Sequence, residues 1–66
     1  MKLDDAKQVR MLHDIETRYG MLNKGQILDV VHVAPRHPRS KVRILTLLDE
    51  HGTEFYTTDR EVEAII

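Results

Sequence analysis

The chain has 66 residues, no cysteine and a formal charge of −1. Disulfides and thiolate metal sites are therefore excluded, and so is a generally basic nucleic-acid coat. A chain this short buries only about 60% of its unfolded surface, so self-association, a partner or an efficient small core has to supply stability. Lack of cysteine fits a reducing compartment. No run approaches the ~20 apolar residues of a membrane span. The charged start Met1-Lys2-Leu3-Asp4-Asp5 offers no apolar signal-peptide core. The expectation is a single domain, 1–66, in the cytoplasm, or in the host cytoplasm if the chain belongs to a phage or mobile element.

In chain order, residues 4–19 are predicted to form a helix. Asp4 or Asp5 is placed to cap it, with Gln8 three residues after Asp5. At helical spacing Val9, Met11, Leu12, Ile15 and Tyr19 share one face, which makes Leu12 and Ile15 expected core residues. Arg10, Asp14 and Arg18 would form an outer ladder, and Gly20 would end the helix. Asn23-Lys24-Gly25 is a turn. Residues 26–34 and 41–49 are rich in β-branched and aliphatic residues and are read as strands, as is 53–57. Glu50-His51-Gly52 joins the last two, and such short links favour antiparallel pairing. Thr58-Asp59-Arg60-Glu61 fits a capping box, so a short C-terminal helical turn is expected, with a closing strand as the competing reading.

The predicted fold class is therefore α+β: an N-terminal helix packed on a three- to four-stranded antiparallel sheet or small barrel, spanning 25–66 after the helix. Three segments carry a family resemblance. They are Lys24-Gly25-Gln26-Ile27 opening a strand, the hairpin from Asp49-Glu50-His51-Gly52 to Thr53-Glu54-Phe55-Tyr56, and Asp59-Arg60-Glu61-Val62-Glu63-Ala64-Ile65 as a turn and closing strand. Over about two-thirds of its length the chain resembles the small SH3-like barrels. The aromatic ligand groove of the peptide-binding members is not evident. A Pro-rich loop stands where ribosomal-type relatives have a glycine. The resemblance implies a fold and no functional residue.

Both faces of the expected sheet are apolar. Ile27, Val31 and Val33 lie on one side of the first strand, and Leu28 and Val30 on the other; Ile44 and Leu48 oppose Leu45 and Leu47 in the second. Sheets with one wet face alternate cleanly, so Leu28, Val30, Leu45 and Leu47 are a candidate interface, for a homodimer or a partner.

Charge is divided along the chain. Arg36, Arg39, Lys41 and Arg43 fall together with no acid among them, whereas Asp49, Glu50, Glu54, Asp59, Glu61 and Glu63 follow with Arg60 alone. Pro35 and Pro38 stiffen the loop Ala34-Pro35-Arg36-His37-Pro38-Arg39-Ser40 toward polyproline II, whose period of about three residues sets Arg36 and Arg39 on one side. These four cations are the candidate contacts to phosphates or carboxylates. His13, His32, His37 and His51 have no metal-ligand spacing, and Ser40, the sole serine, has no base in a known pattern. No cofactor, metal or catalytic residue is assigned. The expected function is a non-catalytic protein-binding module, a regulator, inhibitor or assembly factor. The alternative is a nucleic-acid-binding accessory protein using loop 35–43, disfavoured by the acids and by having only Tyr19, Phe55 and Tyr56 for stacking.

Overall fold

Alternation with period two, not helical periodicity, governs the N-terminal third. The computed structural model describes residues 2–66, and it corrects the first expectation: residues 4–19 form no α-helix. A single 3-10 turn, Leu3–Asp5, leads into strand β1, Gln8–Met11. Along β1 the side chains alternate: Val9 and Met11 are buried and Arg10 is exposed. Strands β2, Ile15–Thr17, and β3, Gly20–Leu22, form a separate two-stranded hairpin. Gly20 does not cap a helix. It follows the two-residue tip of this hairpin at φ +127°, while the Thr17 hydroxyl donates to Gly20 O at 2.6 Å and accepts from the Tyr19 N–H at 3.1 Å.

The features expected to hold a helix serve the sheet instead. Gln8 donates from Nε2 to Asp29 at 2.9 Å across strands, and Arg10 pairs with Glu63 at 2.9 Å. Asp14 accepts the Lys24 N–H at 2.7 Å. Leu12 and Ile15 are half-buried and Tyr19 is 60% exposed, so the predicted helical face does not exist as a face. Helix propensity of Gln, Arg, Met and Leu is worth only tenths of a kcal/mol per residue, and burial in a sheet overrides it.

The rest is a meander. Strands β4, Ile27–Val33, β5, Ile44–Leu48, and β6, Glu54–Thr58, pair antiparallel in sequence. A 3-10 turn at Asp59–Glu61 precedes β7, Val62–Ala64. Thr58 makes no side-chain cap bond there, so the capping box is not formed. The main sheet has the order β6-β5-β4-β1-β7, and the last strand lies against the first. Five strands in one sheet and two in another replace the three or four expected. Among the described residues no helix is long and apolar enough to cross a membrane.

The core is one cluster: Val9, Met11, Leu22, Leu28, Leu45, Leu47, Phe55 and Val62, with Leu3, Ile15, Val30 and Val33 packed against it. This overturns the proposed sheet-face interface. Leu28, Leu45 and Leu47 are 1%, 0% and 0% exposed within a single chain, and Val30 packs on them. The sheet curls so that this face closes on β1, β3 and β7. The outward face is the other one, with Ile27, Val31 and Ile44.

Burial ranks the stability cost of truncation. Leu45→Ala or Leu47→Ala should cost about 2–5 kcal/mol. Leu12→Ala, at a half-buried site, should cost less than either. Urea denaturation followed by far-UV circular dichroism checks the order. A Leu12→Ala loss equal to that of Leu45→Ala would contradict the core described above.

Candidate partner-binding surface

The loop between β4 and β5, residues 34–43, is built around its own turn. Ser40 N–H donates to His37 O at 3.0 Å, with Pro38 and Arg39 at the corners. Proline at the first corner suits a tight turn, because its φ is already set. Arg39 N–H also donates to His37 Nδ1 at 3.1 Å. The turn interrupts any polyproline II helix before Arg39, so Arg36 and Arg39 do not follow one another along a single extended ridge. Lys41 likewise lies in a bend, and Arg43 immediately precedes β5, so they do not alternate along a strand.

The four cations have different roles. Arg43 belongs to the framework: its side chain is 16% exposed, Nε donates to Ala34 O at 3.0 Å, and Nη2 meets Asp4 Oδ1 at 2.6 Å. It closes the neck of the loop and clips the first 3-10 turn to it. The Arg43 hydrogen bond holds the Asp4 carboxyl below its ordinary pKa, and the same bond pushes Arg43 up. Arg36 stands 4.0 Å from Asp59 Oδ2 and remains 60% exposed. Arg39 and Lys41 are exposed and form no ion pair among the described residues. Asp59 Oδ1 is buried without a hydrogen-bond partner. Its charge is compensated through space by Arg36 on one oxygen and by the nearby Arg43.

Beside the loop, the outward face of the sheet carries a row that sequence reasoning passed over. Tyr56 on β6 lies opposite Thr46 on β5, and Thr46 lies opposite His32 on β4. Ile44 opposes Thr58, one diagonal step from Tyr56, which is within reach for a large side chain. Val31 projects at a bulge between Val30 and His32. Tyr56, Val31 and Ile44 are 63%, 53% and 47% exposed. The available signal was the alternation Glu54-Phe55-Tyr56-Thr57: burying Phe55 forces Tyr56 outward.

A second feature is an open groove of about 620 Å³ between the β3–β4 and β5–β6 turns. Met21, Lys24, Ile27, Glu50 and His51 line it. Asp49 lines it too, but its Oδ1 already accepts the N–H groups of His51 and Thr53. Among the described residues no group of three or more His, Asp or Glu side chains is placed to hold a metal ion.

Compared with known proteins, the chain matches no family model, no curated protein and no solved structure.

The Asp4–Arg43 clip has a signed pH dependence. A carboxyl whose folded pKa is depressed contributes stability above its unfolded pKa, and loses it as pH falls through the folded value. Asp4→Asn should therefore lower the urea midpoint at pH 7. The difference from the parent should shrink as pH falls from the ordinary carboxyl range, about 4, through the depressed folded value. Parallel urea titrations at pH 7 and pH 3 read this directly.

Proposed function

We propose that this chain is a small protein-binding module without catalytic chemistry, a regulator, inhibitor or assembly factor. Its docking surface is the outward sheet face around Tyr56, Ile44 and Val31 together with the exposed cations of loop 34–43. The observation that carries the reading is the exposure of those three apolar side chains on one face, beside that loop, in a chain whose core is already filled. Aromatic anchors with apolar neighbours and an Arg-bearing rim are the composition of protein interfaces. The partner's surface would be apolar at its centre and carboxylate-bearing at the edge facing Arg36, Arg39 and Lys41. The SH3-like barrel belongs to the same proposal, supported by the antiparallel meander and by the last strand pairing with the first.

The charge arrangement also weighs against the nucleic-acid reading. With Arg43 committed to Asp4 and Ala34, three of the four cations are left for phosphates, and Arg36 is shared with Asp59. A duplex contacted by three cations would show a slope of log affinity against log salt no steeper than about −2.7.

Fluorescence anisotropy with labelled duplex DNA and RNA, against a panel of acidic protein domains, separates the two readings. Negligible nucleic-acid affinity at ~150 mM salt is expected. Binding to an acidic domain should fall at least about tenfold in both Tyr56→Ala and Arg39→Ala/Lys41→Ala, since truncating an anchor removes over about 1.4 kcal/mol. Micromolar nucleic-acid binding with a slope near −2.7 would replace this function by the other.

A further inference from the structure

The free edge of β6 is the one stretch of backbone in the main sheet that is both long and unprotected. The hydrogen bonds at its two ends fix which of its groups face outward. Asp49 N–H donates to Thr53 O, and Asp59 N–H donates to Arg43 O. With the register Ile44↔Thr58 to Leu48↔Glu54, these bonds assign the backbone groups of residues 53, 55, 57 and 59 to β5. The N–H and C=O of Glu54, Tyr56 and Thr58 therefore point away from β5, and among the described residues no other strand pairs with them, although Thr58 also opens the 3-10 turn Asp59–Glu61.

Sheet edges in monomers are commonly blunted by Lys, Pro, a bulge or shortness. β7, the opposite edge, has three residues. β6 has five, Glu-Phe-Tyr-Thr-Thr, without Lys or Pro, and its pairing with β5 runs without a bulge. Four of the five are strong β-formers.

We propose that β6 is the interface of a homodimer, in which two copies pair antiparallel edge to edge about a twofold axis at Tyr56. In that register Tyr56 faces Tyr56 of the partner subunit, and Glu54 faces Thr58 of the partner subunit. The three outward residues of one copy meet the three of the other, and each facing pair exchanges two backbone hydrogen bonds. A single β6 strand has one charge, Glu54, and the twofold holds the two copies of it apart, opposite threonines, so no like charges face one another. The axis stands perpendicular to the sheet, which leaves both outward faces on the same side. The two five-stranded sheets become one continuous sheet, and the two basic loops lie on one platform. This dimer rests on the backbone edge, independently of the proposed docking function and of Leu28, Val30, Leu45 and Leu47, which a single chain already buries. An interface five residues long is small, so association in the micromolar range follows.

The native absence of cysteine makes the register directly testable. Facing residues in a hydrogen-bonded antiparallel pair have Cα atoms about 5.5 Å apart, within the span of a disulfide. Tyr56→Cys should form a disulfide-linked dimer under mild oxidation much faster than Tyr19→Cys, a control of similar exposure on the β2–β3 hairpin. Sedimentation equilibrium of the unmodified chain from about 10 to about 300 µM should show a monomer–dimer equilibrium. Tyr56→Pro removes an outward N–H and no bond to β5, so it should yield a folded monomer. A strictly monomeric parent, equal cross-linking at positions 19 and 56, or a dimer that survives in folded Tyr56→Pro would each overturn the proposal. If Tyr56→Pro fails to fold, the cross-linking comparison decides alone.

Discussion

Strand β1 is the constraint on which the rest of this small fold depends. It has four residues, Gln8–Met11, and is paired on both sides, with β4 and with β7. Without it the sheet would end at β4, and β7 would have nothing to lie against. Val9 and Met11, 0% and 1% exposed, put their side chains between the two ends of the meander and make one core of it. On its other side β1 carries Gln8 and Arg10, which bond to Asp29 and Glu63 on the flanking strands. Those exposed contacts are individually weak, and their value is in register: a one-residue slip would bury Arg10 and expose Val9.

The same strand explains where sequence reading fails. Residues 4–19 contain apolar side chains at intervals that satisfy a helix, and most of these residues are adequate helix formers. Two short strands with a tight turn between them produce the same spacing, because Val9 and Met11 alternate inward and Ile15 and Leu22 face each other across the hairpin. The deciding interactions, Arg10 with Glu63 and Val9 with Ala64, span more than 50 residues of sequence, which no local window contains. The strands from residue 26 onward were legible because Ile27–Val33 and Ile44–Leu48 are too short and too rich in Val, Ile and Leu for anything else.

The surface was half legible. Arg36, Arg39, Lys41 and Arg43 are equivalent as letters, and only the folded chain shows Arg43 turned inward to Ala34 and Asp4. Both faces of β4 and β5 read as apolar in the sequence, yet the outward one mixes Ile27, Val31 and Ile44 with Asp29, His32 and Thr46. Which face closes is decided by curvature, a property of the whole sheet, so Leu28, Leu45 and Leu47 were assigned to the wrong side. Tyr56 was separable from Phe55 by alternation, but its neighbours Ile44, Thr46 and His32 come from other strands.

The bulge at Val31 sets the orientation of more than its own side chain. It inserts one residue between Val30, opposite Leu47, and His32, opposite Thr46, so that Val33 returns to the core side opposite Leu45. Bulges also add local twist and bend the strand that carries them. The direction in which β4 delivers the chain into loop 34–43 is thus governed by the number of residues before it. Deleting Val31 would leave His32 opposite Thr46 and Val33 opposite Leu45, on the sides they already occupy, and would remove the added twist and bend with which β4 enters the loop. Length, in this strand, is as specific a piece of information as residue type.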